Sequence, residues 1–212
     1  MQAETPKPNT YHHGDLRACL TDLARSHVRT HGPESFSLRD ISREAGVSHA
    51  AAYRHFPTKD ALLDHVATQG FDELRQACSA AFTLERDSAL DALAACGHAY
   101  VRFGRQQPNL LHLMFGKAGA WLETTAGDHP RAHAAAALFQ LLQGIIEAGQ
   151  ARGQIRREDP RAIAWACWAM VHGCASLAPH TDLPLPPAQE RDIAQRIDGA
   201  IRAVVRGVAA QP

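Results

Sequence analysis

A short stretch near the N-terminus concentrates side chains that suit contact with a polyanion. Within FSLRDISREAGVSHAAAYRHF, His49 and Arg54 can reach base edges or phosphates. Tyr53, His55 and the nearby Lys59 are suited to binding phosphate. The chemistry available here is therefore non-covalent recognition of a nucleic acid, provided that the backbone presents these side chains on one surface.

Two helices joined by a tight turn would present them in this way. The run from Ser37 to Asp40 predicts a capping box at the start of one helix, and Ser48 predicts the cap of the next. Gly46 supplies the left-handed backbone that the turn between them needs. Such a pair is a helix-turn-helix, whose second helix enters the major groove of DNA. An ordinary corner of two helices with a polar face fits the same spacing about equally well.

We predict that ten residues contact DNA. Ala50 and Ala51 keep the second helix slim and can touch thymine methyl groups, whereas the others are polar or lie at helix N-termini, where anions bind. The set is Ser37, Arg39, Ser48, His49, Ala50, Ala51, Tyr53, Arg54, His55 and Lys59.

The composition of the chain restricts these interpretations. Of the 212 residues, 45% are hydrophobic, which favours a folded core. The 22 basic and 22 acidic residues cancel, so attraction to nucleic acid must come from a local patch. Five cysteines without a C-x-x-C pair, a polar N-terminus and no run long enough for a bilayer predict a soluble cytoplasmic protein without a membrane partner.

Helical periodicity runs through the whole chain, and strand signals are almost absent. We therefore predict an all-α fold, with an N-terminal three-helix DNA-binding unit at 1–58 and a larger helical bundle at 59–212. Helices are expected at about 15–30, after Ser37, after Ser48, from Pro57 past Leu74, and at about 87–106, 108–116, 130–151, 160–178 and 187–208.

The last two predicted helices carry more apolar surface than one chain needs. The helix at 160–178 is apolar nearly all round, and a helix of this kind in a soluble chain must be covered on both sides. A second copy would cover the outer side, so we predict an isologous homodimer; a buried helix in a monomer is the alternative. The predicted interface consists of Cys167, Met170, Cys174, Ile193, Ile197, Ile201, Val204 and Val208.

The helix-turn-helix resembles that of the tetracycline-repressor-like (TetR/AcrR) family. The matching residues are Gly46 to Ser48, Tyr53 to Phe56 and Lys59 to Leu63, with Y-x-x-F-x-x-K spacing. His49 and Ala50 depart from the family, in which Lys and Gly are common at these two positions, so the operator sequence stays open.

A second resemblance lies near the C-terminus. The stretch WACWAMVHGCASL is similar to a Trp-His-Gly type of C-terminal domain from one branch of the same family, through Trp168, His172 and Gly173. Together the two resemblances imply a nine-helix, Ω-shaped homodimer that binds a palindromic double-stranded DNA operator. They further imply a repressor of the bacterial cytoplasm, nucleoid-associated when bound, which a small hydrophobic effector releases from DNA.

The resemblance also implies an effector pocket in the C-terminal bundle, although the aromatic and methionine side chains there fit a plain core as well. No carboxylate lies clearly on an inward face, which favours a neutral or anionic hydrophobic effector. The predicted pocket residues are Phe71, Tyr100, Phe103, His112, Met114, Phe115, Trp121, Phe139, Trp168 and His172.

Other functions find less support in the sequence. No Ser-His-Asp order, phosphate-binding glycine loop or pair of catalytic carboxylates is recognisable, so we predict no enzyme and no cofactor, and a helical enzyme with an unfamiliar site stays open. His129 and His133 share a helix face, but nothing around them predicts a metal site. The main alternative is a helical protein that binds a small hydrophobic molecule or lipid without DNA readout. Gly70, inside the fourth helix, is either a hinge or a close-packing residue.

Overall fold

The computed structural model describes residues 16–83, 88–116, 129–177 and 186–210. These ranges form nine helices and contain no strand, so the all-α prediction is confirmed. None of these helices is long and apolar enough to cross a membrane. The helices are α1 (Leu16–His31), α2 (Leu38–Glu44), α3 (His49–His55), α4 (Lys59–Ser79), α5 (Ala89–Gln106), α6 (Pro108–Phe115), α7 (Pro130–Ala151), α8 (Pro160–Leu177) and α9 (Pro187–Val208).

The start of each helix follows from one or two residues. Side chains of Ser37, Ser48, Thr58 and Ser88 accept a hydrogen bond from the amide three positions ahead, which satisfies a donor that the helix leaves unpaired. Proline begins α6, α7, α8 and α9, where its missing N–H costs nothing. These local signals explain why the predicted helix starts agree closely with the structure.

Two glycines end helices at sharp changes of direction. Gly32 has φ of 83° after α1, and Gly46 has φ of 68° between α2 and α3. A side chain would strain the backbone at either position. The predicted left-handed turn at Gly46 is therefore present.

The helices pack into one continuous apolar core. The first three helices contact one another, and α1 also packs against α4 and α6. In the larger bundle α4 packs on α5, α6 and α7, while α5 packs on α7, α8 and α9. Buried side chains connect these layers without interruption from Leu20 in α1 to Val208 in α9.

Two arginines form ion pairs that join separate helices. Arg25 of α1 forms a bidentate ion pair with Glu73 of α4. Arg131 of α7 donates to Asp64 of α4 at 2.8 Å and to two carbonyl oxygens at the end of α6, each at 2.9 Å. Because α6 ends at these carbonyls, the guanidinium of Arg131 also caps that helix.

Gly70 lies where α4 and α6 approach most closely. A Cβ atom built on Gly70 would lie 2.8 Å from Sδ of Met114 and 3.3 Å from Cδ1 of Leu110. Gly70 is buried within a continuous helix. Of the two interpretations of this residue, the contact favours close packing over a hinge.

Two glycines of α7 provide a matched test of the packing. In Gly149→Ala the new Cβ would lie 2.8 Å from Cβ of Ala89, which cannot move without its backbone, so we expect a loss of about 2 kcal/mol of unfolding free energy. In Gly144→Ala nothing lies within 4 Å, so we expect a gain of up to about 1 kcal/mol from the lower entropy of the unfolded chain. Urea denaturation measures both, and equal effects would contradict this account of the α5–α7 contact.

Candidate functional site

The start of α2 is fixed by a reciprocal pair of hydrogen bonds. The Asp40 amide donates to Oγ of Ser37 at 3.2 Å, and the Ser37 amide donates to Oδ2 of Asp40 at 2.9 Å. The Ser37 hydroxyl also donates to this carboxylate at 2.6 Å. These bonds, with a smaller contribution from Arg43, lower the pKa of Asp40 to about 2. The predicted capping box therefore holds Ser37 at the exposed N-terminus of α2.

The second helix of the pair turns its polar face outward. Ser48 caps α3 by accepting from the Ala51 amide at 3.2 Å, while Ala52 and Phe56 are buried against the core. The side chain of Tyr53 is 46% exposed. Of the other predicted DNA-contacting residues in this segment, Ser48, Ala50 and Arg54 are exposed, and His49, Ala51 and His55 are half-buried.

Three of the predicted residues form one connected group. Nε of Arg39, on α2, donates to Nε2 of His49 at 3.2 Å. The His49 imidazole in turn stacks on the Tyr53 ring, with centroids 4.9 Å apart. This group joins the outer surfaces of α2 and α3.

The other predicted phosphate ligand, Lys59, lies at the start of α4. Its ammonium group is 5.0 Å from the centroid of the Phe36 ring and 3.6 Å from a carboxylate oxygen of Glu34. The Lys59 side chain is half-buried, so these contacts restrict the position of its ammonium group.

Arg17 of α1 is a basic residue near this surface that the sequence patterns did not identify. Its guanidinium donates to the carbonyl of His55 at 3.2 Å and lies 4.5 Å from the centroid of the Phe56 ring. A cation at the C-terminal end of α3 is favourable because it opposes the negative end of the helix dipole. No local motif could have signalled this role, because Arg17 reaches α3 only through tertiary packing.

A cavity lies between α4, α5, α6, α7, α8 and α9. About 680 Å³ of space unfilled by protein atoms lies here, a figure that includes open solvent at the mouth. The predicted pocket residues Phe71, Tyr100, Phe115, Phe139 and Trp168 line it. The further lining residues are Cys78, Leu93, Cys96, Gly97, Ala135, Leu138, Leu142, Cys167, Met170, Val171, Ile201, Val204 and Val205.

The other five predicted pocket residues lie elsewhere. Phe103 and Met114 are buried in the core but do not line the cavity, because their side chains fill the contacts between helices. His112 is exposed and lines a separate surface cleft, and Trp121 lies outside the described residues. His172 lines the same surface cleft as His112, and from behind the cavity lining its ring contacts Tyr100, Phe115 and Trp168.

Tyr100 and His172 form the polar end of the cavity wall. The phenol of Tyr100 and Nδ1 of His172 are 2.9 Å apart, and Oγ of Ser176 is 3.4 Å from Nε2. Burial raises the pKa of Tyr100 and lowers the pKa of His172. Both groups are therefore uncharged near neutral pH.

The predicted dimer residues divide into two groups. Four of them are buried inside the single chain and are corrected here: Cys167 and Ile201 line the cavity, and Ile197 and Val208 pack into the chain's own core. Met170, Cys174, Ile193 and Val204 are half-buried. The buried part of the stripe on α9 is thus covered by α5 and α8 of the same chain.

The exposed apolar surface lies instead on the outer side of α8. Trp165 is 44% exposed and Leu177 is 86% exposed. Exposed alanines at 162, 166 and 169 share this face. Among the described residues, no group of three His, Cys, Asp or Glu side chains could hold a metal ion, and His129 lies 3.6 Å from Asp64.

The fold and the exposed α3 surface define a helix-turn-helix protein of the DNA-binding class. Residues 20–66 match the bacterial regulatory proteins of the tetR family, and residues 93–210 match the tetracyclin repressor-like C-terminal domain. The chain belongs to the TetR family, a family of DNA-binding transcriptional regulators.

Individual relatives support this assignment. A Rhodococcus protein of unknown function has a similar structure, with a TM-score of 0.77 and 34% identity, over 95% of this chain and 100% of that chain. The HTH-type transcriptional repressor Rv3405c of Mycobacterium tuberculosis is 36% identical over 59 residues, which are 26% of this chain and 31% of that protein. The nucleoid occlusion factor SlmA of Shewanella woodyi is 26% identical over 61% of this chain. The chain spans only 59% of the length of SlmA.

The capping box allows a test of the local structure beneath this surface. We expect Ser37→Ala to lower the free energy of unfolding by about 1 kcal/mol, because α2 loses its N-cap. We also expect the pKa of Asp40 to rise toward its ordinary value, because Ser37 is the main cause of its depression. The carboxylate contributes stability above pH 4 and loses it as pH falls through about 2, so in strong acid the difference between the variant and the parent should narrow to the contribution of the Ser37 cap itself.

Urea denaturation and an NMR titration of Asp40 measure these two effects. Ser79→Ala, at the exposed end of α4, is the control and should change neither quantity. An unchanged pKa of Asp40 in Ser37→Ala would contradict the reciprocal cap.

Proposed function

We propose that this protein is a transcriptional repressor that binds a palindromic operator as a homodimer and leaves it when a small hydrophobic molecule enters the cavity. The observation that carries the proposal is the outward face of α3, where Tyr53 and Arg54 lie beside the Arg39–His49 pair. In a helix-turn-helix this face enters the major groove.

The ten predicted residues take different roles on DNA. Arg54 and His49 read base edges, and the small Ala50 and Ala51 allow α3 to lie deep in the groove. Ser37, Tyr53, His55 and Lys59 bind phosphates, and Arg39 and Ser48 hold the reading surface in place. Because the chain has no net charge, affinity comes from these local contacts, doubled by dimerisation.

The chain divides by role near the start of α4. Residues 1–58 form the DNA-reading unit, and residues 59–212 form the unit that binds the effector and the second protomer. A protein that regulates a bacterial chromosome acts in the cytoplasm, on the nucleoid when bound.

The outer face of α8 is the proposed dimer surface. Three large hydrophobic side chains are exposed in the described ranges, Tyr53 on the DNA-reading surface and Trp165 and Leu177 on α8. The alanines between the last two let a second α8 approach closely. Exposed small residues of α9, Gly199 and Ala203 among them, extend the surface beside it. Pairing through one such face gives two α3 helices spaced by about one DNA turn, roughly 34 Å.

The reading surface yields a test on DNA. For Lys59→Ala we expect the slope of log affinity against log salt concentration to become shallower by about two units. The reason is that each protomer of the dimer loses one phosphate contact. In Arg54→Ala we expect a loss of about 1–3 kcal/mol for each lost base contact and a relaxed preference at one position of each half-site. Arg157→Ala, in the exposed loop before α8, should change neither.

The measurement begins with selection of bound duplexes from a random pool by the parent protein, followed by titrations at several salt concentrations. Enrichment of a palindrome is expected. If no sequence is enriched, sequence-specific DNA binding is contradicted. The alternative function, a protein that binds hydrophobic molecules without reading DNA, would then be favoured.

The dimer surface yields a second test. Ala166→Arg should weaken self-association by about 100-fold or more, because a symmetric contact would bury two unpaired charges. Ala77→Arg, on an exposed position of α4, is the matched control and should leave the dimer intact. Sedimentation velocity at micromolar concentration measures the mass, and an intact dimer in Ala166→Arg would move the interface away from α8.

A further inference from the structure

We propose that the cavity takes an uncharged, mainly hydrocarbon molecule with at most one hydrogen-bonding group, and that it takes an acid only in its protonated form. This inference rests on the proposed function, in which the occupant of the cavity controls release of DNA. The proposed ligand class is narrower than the one expected from the sequence, which included anionic effectors.

The lining carries no counter-charge. None of its eighteen residues is Asp, Glu, Lys, Arg or His, and the titratable groups among them are Tyr100 and the thiols of Cys78, Cys96 and Cys167. A hydrogen bond with Cys96 and burial raise the pKa of Cys78, and burial raises the pKa of Cys167 to about 11. The thiols of Cys78 and Cys167 therefore stay protonated near neutral pH and offer a ligand neither a charge nor a strong nucleophile.

The polar groups behind the lining are already paired. The Trp168 indole hydrogen-bonds to the Tyr100 phenol, and an indole N–H can only donate. The phenol oxygen also forms a hydrogen bond with Nδ1 of His172 at 2.9 Å, and Nε2 of His172 lies 3.4 Å from Oγ of Ser176. A phenol has three hydrogen-bonding positions, so the bonds with Trp168 and His172 leave one position on Tyr100 for an occupant.

The shape of the lining favours a hydrocarbon. Trp168, Phe115, Phe71 and Phe139 supply ring surfaces, and leucine, isoleucine and valine side chains from α5, α7, α8 and α9 supply the rest. Transfer of apolar surface into such a lining is favourable, whereas an unpaired charge is strongly disfavoured. A carboxylic acid would therefore bind only after taking up a proton.

Three ten-carbon probes test this on the full chain without DNA: decanol, decanoate and decyltrimethylammonium. We expect decanol to bind with an affinity that does not change between pH 6 and pH 8. We expect decanoate at pH 7 to bind more than about 100-fold more weakly, because a carboxyl group with an ordinary pKa below 5 must be protonated first. Its affinity should rise about tenfold for each unit by which the pH falls. The quaternary ammonium probe should not bind measurably.

Two adjacent leucines in α7 allow a test of whether the probes bind in this cavity. Leu142 lines it, whereas Leu141 does not, and both are half-buried. Leu142→Phe should weaken decanol binding by about tenfold because the ring occupies ligand space, and Leu141→Phe should leave it unchanged. Isothermal titration calorimetry measures all of these affinities, and melting curves check that both variants fold. If Leu142→Phe does not fold, the pH dependence of probe affinity for the parent protein still tests the proposal.

The outcomes separate this inference from the proposed function. A pH-independent affinity for decanoate similar to that for decanol, binding of the ammonium probe, or no binding of decanol up to its solubility would overturn the inference. Decanol that binds as expected but leaves the protein on its selected operator would support the ligand class and contradict release by the cavity's occupant.

Discussion

Burial of α4 is the constraint on which the rest of the structure depends. Its buried side chains extend from Leu62, next to the helix-turn-helix, to Cys78 in the cavity wall. Helices α1, α5, α6 and α7 all pack against it, and full burial of each large apolar side chain contributes roughly 1.5–3 kcal/mol. One helix therefore begins at the proposed DNA surface and also forms part of the cavity wall.

The positions of the charged side chains are consistent with this packing around α4. The ion pairs Arg25–Glu73 and Arg131–Asp64 lie at junctions between helices, whereas the cavity lining is uncharged. Each pair remains partly exposed, so its contribution to stability is small, about 0–1 kcal/mol. Their geometric effect is larger, because Arg131 joins α7, α4 and the carboxyl end of α6 at one point.

Sequence patterns predicted what local chemistry determines. Caps such as Ser37 and Ser48, and prolines at the first position of four helices, depend on a few neighbouring residues, so helix starts and the helix-turn-helix could be placed from sequence. The stripe from Ile193 to Val208 shows the limit of this reasoning. Periodicity indicates that something covers an apolar face, but it does not distinguish another helix of the same chain from a partner.

The cavity shows the same limit in a different form. Aromatic residues are common both in cores and in ligand sites, so type alone did not separate Phe115, which lines the cavity, from Phe103, which does not. The thiols and small residues of the lining carry no signal in sequence, because their role depends on a space that several helices leave between them. Arg17 was missed for a similar reason, since its partners on α3 are 38 residues away along the chain.

The close contact between α4 and α6 bears on how the cavity could act on the DNA surface. Phe71 and Phe115 both line the cavity, and their rings meet edge to face at 5.0 Å. Gly70 and Met114 directly precede these two phenylalanines in the sequence. Because Gly70 has no side chain, Met114 packs against the backbone of α4, and this close contact keeps α4 and α6 from sliding independently. Packed interfaces of this kind switch between discrete arrangements rather than deform gradually. In the proposed function, a molecule that displaced either ring would therefore move α4 and α6 together. Helix α1 would follow, because the Asn109 side chain of α6 donates to the Arg29 carbonyl of α1 at 3.2 Å. In this proposed coupling Gly70 acts by removing freedom between two helices, which is the opposite of a hinge.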